Sequence, residues 1–94
     1  MVSMYVLQGL TEKRRLYLGL TSDLRQRVKA HAHGLSRTTR RYHPMRLVYY
    51  EAYHDLADAT EREATLKQFG GSYRNLLRRI RRSRLGVLTH GGAG

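Results

Sequence analysis

The chain has no cysteine, so disulfides and thiolate metal sites are excluded and nothing points to an oxidising compartment. It has no run approaching the ~20 apolar residues of a membrane span, and its first residues show no signal-peptide core. A cytoplasmic protein is the expectation. Its single proline, Pro44, is a helix stop within a basic loop. Acidic residues are also scarce: seven Asp and Glu stand against eighteen Lys and Arg, leaving a net charge of +11 over 94 residues. Such a density repels itself unless an anionic partner neutralises it, and nucleic acid is the first such partner to consider. A membrane surface would require a basic amphipathic segment with a strong apolar face, so no membrane partner is expected.

Ninety-four residues suffice for one small core. The expected division is a single domain over residues 1–85 and a flexible tail over 86–94, whose end, Thr89-His90-Gly91-Gly92-Ala93-Gly94, is small and unpatterned.

Met4–Leu7 and Leu16–Leu20 read as short strands joined by a charged connection that Gly9 can start, the pattern of an antiparallel pair. Tyr5 and Tyr17 then lie on neighbouring strands facing one side. Thr21-Ser22-Asp23 supplies capping oxygens for a helix that ends near His33-Gly34. On that helix Arg27 and His31 share the stripe of Leu24 and Val28, a guanidinium and an imidazole where packing residues are expected. Such a stripe predicts a partly buried site holding a permanent positive charge and a proton carrier.

Ser36–Pro44 is a loop in which Arg37, Arg40 and Arg41 suit phosphate binding. Met45–Tyr53, rich in β-branched and aromatic residues, is the clearest strand and is expected to be central or best buried. A helix follows, capped by Asp55 or Asp58, with Leu56, Ala59, Leu66 and Phe69 along one stripe. Glu63 falls inside this stripe and Glu61 opposite it; a buried carboxylate is costly unless it meets a cation. Gly70-Gly71 is read as a break before a last helix with Tyr73, Leu76, Leu77 and Ile80 on one side and Arg74, Arg78 and Arg81 among six arginines on the other. Leu24, Val28, Leu47, Tyr49, Leu66 and Leu76 are expected in one core.

Tyr17-Leu18-Gly19 closing a strand, followed by Asp23-Leu24-x-x-Arg27-x-x-x-His31, with Tyr5 on the strand before, resembles the signatures of the GIY-YIG nuclease superfamily. Arg46-Leu47-Val48-Tyr49-Tyr50-Glu51 and the Ala59–Lys67 block with Glu63 and Leu66 resemble its small stand-alone bacterial branch. The resemblance covers residues 3 to about 80. Ser3-Met4 replaces the Gly-Ile of the first signature, Leu18 stands for isoleucine, and a late asparagine has no confident counterpart, since Asn75 sits in an arginine-rich helix.

The resemblance implies an α+β fold, a three-stranded antiparallel sheet flanked by helices. It implies a metal-dependent endonuclease of DNA, with catalytic residues Tyr5, Tyr17, Arg27, His31 and Glu63, the last a ligand for Mg²⁺ or Mn²⁺. DNA repair, with branched or damaged DNA as substrate, is the expected setting. The residue types suit phosphodiester hydrolysis: Tyr17 as base, Tyr5 placing the water, Arg27 clamping phosphate, His31 assisting, and Glu63 holding one hard cation. The alternatives are a non-catalytic basic module binding DNA or structured RNA, and a structural ribosome-associated protein.

Overall fold

The computed structural model describes residues 1–10, 15–34 and 45–90. Its elements are β1 (Val2–Gly9), β2 (Leu16–Thr21), α1 (Leu24–Ala32), β3 (Met45–Tyr53), α2 (Leu56–Gln68), α3 (Gly70–Arg79) and α4 (Arg81–His90). The strands form one antiparallel sheet of order β2-β1-β3, the three-stranded α+β arrangement expected from the sequence. The β1–β2 hairpin is closed by Gly9 N–H donating to the Arg15 carbonyl at 3.0 Å.

The centre of this sheet is β1, not β3. Residues Ser3 to Gly9 are all buried, whereas β3 is an edge strand with Arg46, Tyr50 and Ala52 exposed. β propensity marks a residue's fit to a pleated surface and carries no information on strand order, which long-range pairing decides.

Alternation along β1 separates two apolar layers. Met4 and Val6 join Leu66 of α2, Leu76 of α3 and Ile80, with Leu16, Leu18, Leu20, Tyr49 and Tyr53 around them. Tyr5 and Leu7 join Met45 on the other face, flanked by Tyr17, Leu24 and Leu47. The single core expected is therefore two, one on each face of the sheet. Leu66 and Leu76 are buried as expected, each stabilising the fold by about 2 kcal/mol through apolar burial. Leu24, Val28, Leu47 and Tyr49 are only half-buried, Leu24 and Leu47 on the face covered by the single short helix α1 and Tyr49 on the other. Between Val6 and Leu7 the β1–β3 register skips Val48, a bulge that turns both Val48 and Tyr49 into the layer shared with α2 and α3.

The helix starts follow their side chains. Asp23 Oδ1 accepts from Gln26 N–H at 3.1 Å and Asp55 Oδ1 from Ala57 N–H at 2.7 Å, so Asp55 and not Asp58 caps α2. α1 ends at His33, and Gly34 takes the left-handed conformation, φ 69°, that glycine adopts without strain. The break after α2 falls at Phe69, and both glycines lie inside the first turn of α3. Leu56 and Phe69 are exposed, so only Ala59 and Leu66 of the predicted α2 stripe are buried. The expected last helix is two, divided at Ile80, and α4 runs past residue 85 to His90. Gln8, wholly buried at the end of β1, anchors α4: Arg84 Nε donates to its Oε1 at 2.6 Å and its amide donates to the Arg84 carbonyl at 3.4 Å.

Candidate active site

Tyr5 and Tyr17 project from one face of the hairpin because Tyr5 pairs with Gly19 and Tyr17 with Leu7, leaving the two tyrosines diagonal. Their ring centroids are 6.1 Å apart. His31, in the last turn of α1, completes a three-ring cluster, 5.9 Å from Tyr5 and 5.3 Å from Tyr17. The Tyr5 hydroxyl and His31 Nε2 share a buried hydrogen bond of 3.2 Å. Gly19 makes the cluster sterically feasible. A Cβ there would stand 2.8 Å from the Tyr5 hydroxyl oxygen and 2.9 Å from Tyr17 Cε1.

Burial governs the titration of this cluster. Tyr5 is 1% exposed, and its pKa is pushed up to about 12, first by burial and then by Tyr17, with Arg27 opposing and Glu63 adding to the rise. The Tyr5 phenol is therefore protonated through the physiological range. His31, 2% exposed, has its pKa lowered by burial and by the neighbouring Arg27 charge, which favours the neutral imidazole. These couplings bring Arg27 and Glu63 within electrostatic reach of Tyr5, although they lie on different helices.

Arg27 sits one turn before His31 but is exposed, whereas the stripe predicted partial burial. Leu24 and Val28 of the same stripe are half-buried. Arg27 lines a cleft of about 400 Å³ with Val2, Leu20, Thr21, Ser22 and Leu56. The Glu63 side chain is 21% exposed and pairs with Lys67 Nζ at 3.4 Å, while Glu61 is exposed, as their positions on α2 predict. Tyr17 and Lys67 share a second cleft, of about 360 Å³, with Leu16, Leu18, Leu66 and Tyr73.

Among the described residues no group of three or more His, Cys, Asp or Glu is arranged to hold a metal. Glu63 offers a lone carboxylate, and its partner is a single ammonium at the surface, a weak pairing that a hard cation can displace. One carboxylate with water completing the shell suits magnesium, so the donor chemistry fits such an ion. Arg74, Arg78 and Arg81 are exposed, whereas Arg37, Arg40 and Arg41 lie outside the described residues.

A second polar cluster escapes a reading by motif. Tyr49, Glu51 and Tyr53 occupy alternate positions on β3, and both phenols donate to the Glu51 carboxylate, Tyr49 at 2.7 Å. Arg62 of α2 clamps the same carboxylate, Nε at 3.1 Å from Oε1 and Nη2 at 3.1 Å from Oε2. Burial works to raise the Glu51 pKa, but the hydrogen bonds from Arg62, Tyr53 and Tyr49 outweigh it and leave the pKa lowered. Tyr53 is pushed up to about 12 by burial and by Glu51. The period-two Tyr-Glu-Tyr spacing was a visible signal; its partner on α2 was not.

The arrangement combines two strand tyrosines across a required glycine, an arginine and histidine four apart on the next helix, and a glutamate on α2. Residues 1–76 match the family model of the GIY-YIG catalytic domain. The chain belongs to the GIY-YIG family. It is also 39% identical over 54 residues to a UPF0213 protein of Clostridium perfringens (strain 13 / Type A), covering 56% of this chain and 58% of that protein's length. No solved structure matches the chain. The GIY-YIG domain is a nuclease domain, with nucleic acid as its substrate class and divalent metal as its usual cofactor class. No helix among the described residues of this GIY-YIG domain is long and apolar enough to cross a membrane.

Proposed function

We propose that this chain is a metal-dependent endonuclease that hydrolyses phosphodiester bonds of DNA, with Tyr5, Tyr17, Arg27, His31 and Glu63 as its site. The observation that supports it best is the three-ring cluster of Tyr5, Tyr17 and His31, in which the Tyr5 phenol feels the charges of Arg27 and Glu63. Tyr17 is half-buried and lines a cleft, which supports its role as the phenol that accepts the proton of the attacking water. Tyr5 is too deeply buried, and too weak an acid, for that task or for touching water, so its role is to position Tyr17 and His31. Arg27 forks onto the phosphate oxygens and keeps its charge throughout. Glu63 would hold Mg²⁺ or Mn²⁺, which supplies Lewis-acid stabilisation of the phosphate's developing charge when bound.

Exposed Arg74, Arg78 and Arg81 favour a supplementary grip on the nucleic-acid backbone. Residues 1–85 make up the proposed nuclease unit. The reading is tested by incubating the protein with supercoiled, linear and branched DNA in Mg²⁺ or Mn²⁺, and in EDTA. Cleavage that EDTA stops is the expected result. Binding without cleavage on every substrate leaves the basic DNA- or RNA-binding module as the function.

A further inference from the structure

From the cleft beside Arg27 we infer that the substrate presents an unpaired nucleotide, whose base enters that cleft when its phosphate meets Arg27. This rests on the nuclease reading for the phosphate and adds the structural class of the substrate.

The cleft lies where the start of β1, the end of β2 and the first turns of α1 and α2 meet, and its volume, about 400 Å³, is in the range of small-ligand sites. Val2 and Leu20 are half-buried, and Leu56 is 60% exposed although it begins an amphipathic helix. An apolar floor next to one guanidinium is complementary to a nucleotide: the charge meets the phosphate and the floor meets the base. Arg27 ties the two together, since it lines the cleft and also acts electrostatically on Tyr5 and His31. A phosphate held there has its own nucleoside within a few ångströms, hence at the cleft mouth. A base stacked and paired in a duplex cannot enter without paying its unstacking energy, whereas an unpaired base pays far less. Gaps, flaps and single strands are therefore the favoured substrates.

The test is a binding measurement in EDTA, so that no hydrolysis is required. Fluorescently labelled oligonucleotides of one sequence are compared as single strand, as duplex containing a one-nucleotide gap, and as intact duplex. The single strand and the gapped duplex should bind about tenfold more tightly than the intact duplex. Leu56→Ser, neutral and tolerated at an exposed helix start, should erase that preference, and Leu56→Met should retain it. Equal affinity for paired and unpaired DNA, or a preference unchanged in Leu56→Ser, overturns the inference even if metal-dependent cleavage is found. A preference that Leu56→Ser erases, in a protein that never cleaves, upholds the subsite and removes the nuclease reading.

Discussion

Gly19 lies directly across the β1–β2 ladder from Tyr5, and the hydroxyl of that tyrosine occupies the space a side chain at Gly19 would need. Gly19→Ala therefore has to displace two aromatic rings, one of them wholly buried. It should lower stability by about 1–3 kcal/mol in urea titration. It should also reduce cleavage far more than that loss of folded protein explains, because Tyr5, Tyr17 and His31 all shift together.

Glu63 and Glu61 separate the site from the surface of the same helix. Glu63→Ala and Arg27→Ala should each reduce metal-dependent DNA cleavage by at least about 10²-fold, in the range for loss of a transition-state charge partner. Gel-shift affinity for intact duplex, which the distributed surface arginines carry, should survive in both. Glu61→Ala, at an exposed position, should leave the rate within about twofold.

Tyr17→Phe should remove the proposed base while keeping the ring, giving a large loss of rate with an unchanged melting temperature. Tyr5→Phe removes the partner of His31 Nε2 and should cost about 1 kcal/mol of stability as well as rate. Ultraviolet titration of wild type against Tyr5→Phe should show one phenol ionising near 12 that the variant lacks.

The lowered pKa of His31 makes stability depend on pH in a defined direction. The unfolded chain binds a proton at about pH 6.5 that the folded chain accepts only at lower pH. The contribution of the neutral imidazole is thus complete above that value and is lost as pH falls through the folded pKa. Melting temperature should drop between pH 7 and pH 5 more steeply in wild type than in His31→Gln.

Salt should weaken binding through the exposed arginines of α3 and α4. The log–log slope of affinity against salt should fall by about one to two when Arg78 and Arg81 are both replaced by Ala, with little change in preference among DNA sequences.

Local chemistry in the sequence determined a good part of this protein. Asp23 and Gly34 bracket α1 because one offers a capping oxygen and the other a left-handed turn, both effects of a few neighbouring atoms. The helical period placed Arg27 and His31 one turn apart and set Glu63 against Glu61. The strand period aligned Tyr5 and Tyr17. The GIY-YIG signatures were legible because they consist of such short-range spacings.

What depends on separation in space was decided only by the tertiary structure. β1 became the central strand through pairing on both edges, although β3 has the stronger strand composition. Arg27 reached the surface because α1 covers its sheet face incompletely, while His31, one turn on, is buried against Tyr5. The carboxylate of Glu51 found Arg62 across eleven residues, a pairing no periodicity encodes. The contrast between Tyr5 and Tyr17 is of the same kind: both are strand tyrosines on one face, yet the central strand buries one and the edge strand leaves the other at a cleft. The raised pKa of Tyr5 follows from its burial, and burial is a property of the assembled layers, not of the chain's local pattern.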